Sequence, residues 1–513
     1  MGALQSSNLS SLSIAEELTP GVLPVTPIWV LQSPNTFSDF GGEYSTVARE
    51  TFRDDRQRLK GRTVDLSASG GFNTDLTKDN LFDLMQGAMF ADVIDQLSTK
   101  PLNGTAIPIT GVLAAGDTYA AASGLGSFLV GDLIVAEDFT DAANNGLKRI
   151  NTVAAGLLTV DEALEDEPSP PAIAAVSKVG YQFAVDTVDF DASGTLPILT
   201  RVGAAVDWTT IGVAVGDWLF VGGDTTALRF AGAANNGFGR VSAITASTIT
   251  FDKFDTTVVT ETAGTSTAGL TIQIFLASRI NNATSLANIV ERSYNLERTL
   301  GDDGGGTQSE YITGAEINEL TFNLTSAEKI TMDVDFLGLA HETRTGATGV
   351  KSGTRPSLVE GDAFVHGDAA RIRLALVDEA NENPTAFSTY ITDLTLTISN
   401  NLVANKAIGT IGSVCLTTGI FSVSGSITAY FETLAAANSI AVNDSVSLDF
   451  AVVHDNAGLL VDLPLVTLGD GKPDLSPNEA IKLPLNMDAA KDDTLDFTMS
   501  ISQFRYLPTL AHN

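Results

Sequence analysis

The chain has 513 residues, with 62 Asp and Glu against 29 Lys and Arg, for a formal net charge of −33. That length exceeds what one hydrophobic core organises, so several domains are expected. The charge repels phosphate, which argues against nucleic-acid binding by charge neutralisation and against attachment to anionic membranes.

Residues 1–24 are polar and punctuated by proline and read as an N-terminal arm. They hold no basic region followed by an apolar run, so no secretory leader is expected. Ile28–Leu31 is a short apolar strand. From Glu43 to Arg62 a polar loop carries Arg49, Arg53, Arg56, Arg58, Lys60 and Arg62, interleaved with Glu50, Asp54 and Asp55. Two readings of this basic cluster stay open: a solvated turn whose ion pairs contribute little, or an assembly loop that meets an acidic face of a neighbouring subunit. A strand over Val64–Leu76 leads to Leu81, Leu84, Met85, Ala88, Met89 and Val93. These fall at helical spacing behind Asp79 as N-cap, and their face suits core packing.

Residues 106–277 contain a repeat. GDLIVAEDFTDAANNG starts at Gly131, and GDWLFVGGDTTALRFAGAANNG starts at Gly216. Asn144, Asn145 and Gly146, like Asn235, Asn236 and Gly237, are turn signals between strands. Tyr181–Val185 and Leu270–Phe275 close the repeats. Two β-barrel-like modules are expected, 106–187 and 188–277, inserted in a discontinuous domain as surface decorations that a Gly/Ser linker can replace without loss of assembly.

Beyond the insertion the pattern is period two throughout. Leu320, Phe322 and Leu324 are followed by Ile330, Met332, Val334 and Phe336. Residues 346–370 are Gly-rich and polar, as in a linker. Leu394, Leu396 and Ile398 alternate with Thr395, Thr397 and Ser399. After the long connection Asn400–Thr418, Phe421, Val423, Ile427 and Phe431 alternate with Ser422, Ser424, Ser426 and Thr428. Further strands run over 446–452 and 459–465, then Leu483, Leu485 and Met487, then Leu495, Phe497, Met499 and Ile501. Ser67–Leu76 aligns without gaps on Ser422–Phe431. Leu320–Phe336 resembles Leu483–Ile501, and Ile28–Leu31 resembles Ile372–Leu376. Three correspondences in one order indicate a single all-β fold used twice.

Chemistry is scarce in this pattern. Cys415 is the single cysteine, which rules out an intrachain disulfide and a thiolate cluster. His341, His366, His454 and His512 are scattered, and His341-Glu342 lacks the second His of a zincin helix. Gly469–Lys472 lacks the remainder of a phosphate loop. Asp333 and Asp335 sit about 6.6 Å apart on one strand face. They point the same way, whereas glycosidase carboxylates flank a bond from opposite sides. No catalytic residue, metal ligand or cofactor site is expected.

The strand Leu396-x-Ile398-x-Asn400-Asn401-Leu402, the long loop after it, and the strand Gly419, Val423, Gly425, Ser426 ending in Phe431 together resemble the C-terminal half of siphophage tail tube proteins. The A-N-N-G modules resemble inserts in the same family. The likeness implies two tandem tail-tube-type β-sandwich or barrel domains with a flanking helix. The first would cover 25–105 and 278–345 and the second 371–513, with 346–370 as the linker. It implies a structural virion protein, not an enzyme, assembled in the host cytoplasm into the non-contractile tail. Its partners would be copies of itself in stacked pseudo-sixfold trimers, the tape measure protein, the terminator and tip proteins, and DNA in transient passage, with no membrane. The inner tube of a contractile tail and a secreted β-repeat adhesin are the alternatives. On this reading Thr331, Asp333, Asp335, Asp496, Thr498 and Ser500 face the lumen. Arg53, Arg56, Arg58, Asn400, Asn401 and Lys406 sit on loops that reach a neighbour.

Overall fold

Alternation of apolar and hydroxyl side chains turns much of the chain into antiparallel strands. The computed structural model describes residues 5–52, 54–55, 57–78, 82–94, 106–203, 206–264, 268–282, 284–302, 304–358, 361–377, 383–387 and 390–512. Arg53, Arg56 and Asp79 lie outside them.

The same eight elements occur twice. The first unit holds β1 (Ser11–Glu16), β2 (Pro34–Val47), β3 (Arg62–Asp75), α1 (Phe82–Met89), β4 (Tyr294–Asp302), β5 (Thr307–Thr325), β6 (Thr331–Gly338) and β7 (Ala340–Arg344). The second holds β8 (Ala369–Leu376), β9 (Ile391–Ser399), β10 (Ser422–Tyr430), α2 (Ala435–Val442), β11 (Val446–His454), β12 (Ala457–Asp470), β13 (Lys482–Ala490) and β14 (Ser500–Phe504). In the first unit β1 pairs β4, β2 pairs β3, β3 pairs β6, and β5 pairs β4, β6 and β7. The second unit repeats all six antiparallel pairings in the same order.

One further pairing, β5 with β9, joins the units. The result is a continuous wall in the order β2-β3-β6-β5-β9-β10-β13-β12. Strands β5 and β12 are long because each serves two layers. The N-terminal half of each pairs in the layer behind the wall, and the C-terminal half lies in the wall itself. Between the layers lies one core running through both units, with Phe72, Leu320, Phe322, Val334, Leu396, Ile398, Val423, Phe450 and Ile501 all buried. Helix α1 adds Leu84, Met85, Ala88 and Met89 to it.

Several sequence expectations change. Residues 11–16 are not part of an arm: Leu12 and Ile14 enter the core as β1, which is the positional counterpart of β8. That place was assigned to Ile28–Leu31. Likewise β13 stands where β6 stands, beside β10 as β6 is beside β3, so Leu483–Met487 matches β6 rather than Leu320–Leu324. Every half-buried strand has the same period, so alternation gives the face and not the identity of a strand. Pro34–Val47 is a strand although its sequence, PNTFSDFGGEYSTV, shows no alternation, so the basic loop is confined to residues 48–61. The segment after β7 is docked on the first unit. Tyr311 donates from its hydroxyl to the Gly349 carbonyl at 3.0 Å, Trp29 Nε1 donates to Ser352 at 3.1 Å, and Arg355 pairs with Glu297 at 2.8 Å.

The insertion uses its repeated motif twice in the same way. Asn145 Nδ2 donates to the Phe139 carbonyl at 2.9 Å while its Oδ1 accepts from Phe139 N–H at 3.0 Å, and Asn236 clasps Phe230 likewise at 3.0 Å each. Asn144 and Asn235, both fully buried, donate to Glu167 and Glu261 at 2.9 and 3.1 Å. The opening aspartates are paired too, Asp132 with Lys178 at 2.9 Å and Asp217 with Arg279 at 3.3 Å. Arg279 lies on Ser278–Asn281, past the expected boundary at 277, and that strand pairs with β14.

The modules pack on the second unit. Leu133, Val135, Trp218, Phe220, Phe238 and Phe275 bury themselves against Ala451, Val453, Leu460, Phe504 and Leu507 of the second unit. Behind that contact lies a buried ionic lattice. Arg240 pairs with Asp252 at 2.9 Å and with Asp462 at 3.0 Å, Lys253 pairs with Asp449 at 3.2 Å, and Arg371 pairs with both Asp255 and Asp449. The indole N–H of Trp218 donates to Asp462 at 3.0 Å.

Candidate functional site: the polar face of the wall

The wall buries one face, and its other face is hydroxyl, amide and carboxylate. Cross-strand register lines these groups up. One row, from β2 to β12, reads Thr36, Asn73, Asp333, Thr321, Thr397, Ser424, Asp488, Thr467. The row on one side reads Ser38, Gly71, Asp335, Glu319, Ser399, Ser422. The row on the other side reads Asp75, Thr331, Asn323, Thr395, Ser426, Asn486, Gly469. None of the three rows contains a lysine or arginine.

Hydrogen bonds run along the rows. Asp333 accepts from Asn73 Nδ2 at 2.8 Å and from Asn323 Nδ2 at 2.7 Å. The hydroxyls of Thr321 and Thr397 meet at 2.9 Å across the seam between the units. Ser38 donates to Asp335 at 3.0 Å and Ser399 to Glu319 at 3.4 Å. Among the described residues the cations paired with this face sit at its rims. Lys329 pairs with Asp75 at 2.6 Å, and Lys406 pairs with Asp65 while lying 3.3 Å from Ser67. The hydrogen bond from Lys406 holds the Asp65 carboxyl below the usual carboxylate range. Asp333 and Asp335 project the same way from one strand and accept from neighbouring amide and hydroxyl groups, unlike glycosidase carboxylates, which flank a bond from opposite sides.

Thr331, Asp333 and Asp335 therefore share one face with Ser422, Ser424, Ser426 and Thr428. The second-copy set does not join them. Asp496 occupies a turn at φ 65° beside Lys491, Thr498 precedes β14, and Ser500 is fully buried on β14 in the layer behind the wall, so its assignment to a lumen face is corrected. Asn486 and Asp488 of β13 take that place. They, with Glu319, Thr321 and Asn323, were legible as the polar positions between Leu483, Leu485 and Met487 and between Leu320, Phe322 and Leu324.

The loop candidates divide as well. Arg58 pairs with Glu50, and both are exposed. Asn400 is buried within the chain: its Nδ2 donates to Ala88 O at 3.0 Å and to Ile317 O at 2.9 Å, which ties β9 to α1 and corrects its assignment to a neighbour-reaching loop. Asn401, at φ 49°, clasps the loop root through Ile420 O at 2.8 Å. Lys406 leans back on the first unit, as above. Phe52 on one loop and Ile408 on the other are fully exposed.

No curated protein matches the chain. The family model described as "Phage tail tube protein" matches residues 7–498, a span that takes in β1 to β13 and the whole insertion. Joined to a duplicated all-β wall with one polar face, that match means the chain belongs to the phage tail tube protein family, structural components of the virion tail that assemble into a tube.

Proposed function

We propose that each unit is one tube domain and that three chains close a ring of six such domains around a channel lined by the polar face. The observation that carries this is the β5–β9 seam. It joins the last wall strand of the first unit to the first wall strand of the second, and both ends of the wall keep the same kind of edge free. Among the described residues the outer edge of β2 has no backbone partner, and β12 has none on that side beyond Val466. By analogy with the seam, β12 of one chain pairs with β2 of the next, and closure removes every open edge. The rings stack into a non-contractile tube that holds the tape measure protein, meets terminator and tip proteins at its ends, and later passes DNA. Assembly takes place in the host cytoplasm, and the role is structural rather than enzymatic.

The lumen assignment follows from charge. DNA must slide without sticking, and a cation facing inward would bind phosphate and recur at every ring. At physiological salt the acidic rows act over about 8 Å, enough to keep DNA off the wall. Native mass spectrometry of assembled rings tests the stoichiometry: three chains per ring are expected, and six would mean that only one unit is a tube domain. Changing Asp333, Asp335 and Asp488 to Lys should leave tubes that form but eject DNA slowly, most of all at low salt. Unchanged ejection would remove these residues from the lumen.

A further inference from the structure

We propose a transition-metal site at the turn between β11 and β12, made by His454, Asp455 and Asp362. One nitrogen and two carboxylate oxygens from these residues lie within 4.8 Å of one another. His454 Nε2 is 3.9 Å from Asp362 Oδ2 and 4.0 Å from Asp455 Oδ2. The ring is held from its other side. His454 Nδ1 lies 3.1 Å from Asp368 Oδ1, while Asp368 Oδ2 accepts from Val365 N–H at 2.7 Å and so is itself fixed. Phe364 packs edge-on to the imidazole, with ring centroids 6.5 Å apart. A carboxylate on Nδ1 sets the tautomer that leaves the Nε2 lone pair free, an arrangement found behind metal-bound histidines.

Asp368 is not one of the proposed ligands, so this orientation is independent of the three that converge. No lysine or arginine pairs with Asp362, Asp368 or Asp455 among the described residues, and the turn is locally anionic. Tetrahedral Zn²⁺–ligand bonds of about 2.0–2.1 Å put ligand atoms about 3.4 Å apart, so each aspartate oxygen must approach His454 Nε2 by roughly half an ångström, which rotation of two exposed aspartates supplies. One imidazole with carboxylates suits Zn²⁺, Ni²⁺ or Co²⁺ rather than Mg²⁺ or Ca²⁺, and three protein ligands leave a position for water. Asp362 lies on the segment between the units and Asp455 on a turn of the second, so the ion would staple that segment to the second unit.

The test is calorimetric titration of the purified full-length chain with Zn²⁺, and of His454→Ala, Asp362→Asn and Asp368→Asn. The wild type should take up one Zn²⁺ per chain saturably, with a rise in melting temperature. His454→Ala should abolish that uptake, and Asp362→Asn should weaken it. Asp368→Asn, which removes no ligand, should weaken it by about 10–100-fold. Absence of saturable uptake by the wild type would overturn the site, as would uptake unchanged in His454→Ala. A preference for Ca²⁺ over Zn²⁺ would do the same.

Discussion

The two units share a fold and differ in what covers them. The first is wrapped by its own chain, with residues 346–358 laid against it and Trp29, Tyr311 and Arg355 as the fixings. The second is covered by the insertion, which leaves the chain after α1 of the first unit yet packs on the outer layer of the other. Sequence position and stabilising role are thus separate: residues inserted in one unit complete its twin. The lattice of Arg240, Lys253 and Arg371 with Asp252, Asp255, Asp449 and Asp462 makes that contact specific, because either side without the other leaves charges buried and unpaired.

The comparison can be broken most severely by replacing residues 106–277 with a Gly/Ser linker. Asp462 would lose Arg240 and Trp218, Asp449 would lose Lys253 and keep Arg371, and the apolar face of Ala451, Val453, Leu460, Phe504 and Leu507 would open to water. The expected outcome is loss of the folded second unit and of tubes, read by circular dichroism and microscopy. A folded, tube-forming variant would return the modules to the status of decorations.

A point test compares Asp462→Ala with Asp75→Ala. Asp462 is fully buried and holds Arg240 and Trp218, so its loss should cost about 3–5 kcal/mol. Asp75 makes a surface pair with Lys329 in the first unit, and its loss should cost less than about 1 kcal/mol. Chemical denaturation distinguishes the two, and equal losses would mean that the lattice is not what fixes the insertion.

The smallest effect is a pH dependence confined to the first unit. Burial, with Glu291 and Glu17 nearby, pushes the Glu316 carboxyl up to about 7. The stretch Leu463–Val466 of β12 has no carboxylate. A raised acid pKa means the folded state binds the proton more tightly, so stability falls as pH rises from the ordinary carboxylate range through about 7. Glu316→Gln should therefore gain up to about 3 kcal/mol over the wild type at pH 8 and nearly nothing at pH 4. A gain independent of pH would trace to packing instead.

Much of this was legible. The all-β class and the face carrying Asp333, Asp335 and Ser424 follow from period two, the family likeness rests on the quoted motifs, and of the three correspondences behind the duplication only Ser67–Leu76 with Ser422–Phe431 joins equivalent strands. What was missed has physical causes. Pro34–Val47 pairs on one side only and buries little, so its sequence is free of alternation. Ser500 has the right period, but it belongs to β14, and periodicity cannot tell which layer a strand enters. Asn400 looked like a loop residue, and its bonds to Ala88 and Ile317 depend on elements 312 and 83 positions away in sequence. The packing of Trp218 and Phe238 on the second unit is likewise a matter of tertiary geometry that local pattern does not encode.

The β5–β9 seam has a kinetic consequence. In a ring built from single-domain subunits every junction is a bimolecular event, and the first closed ring depends steeply on monomer concentration. In the three-chain ring proposed above, every second junction would be made during folding, at an effective concentration set by the chain itself, on the order of millimolar for short tethers. A ring of three chains then nucleates with roughly the third power of concentration instead of the sixth. Such a chain should start tubes at lower expression levels, and its lag time against dilution would report the exponent directly.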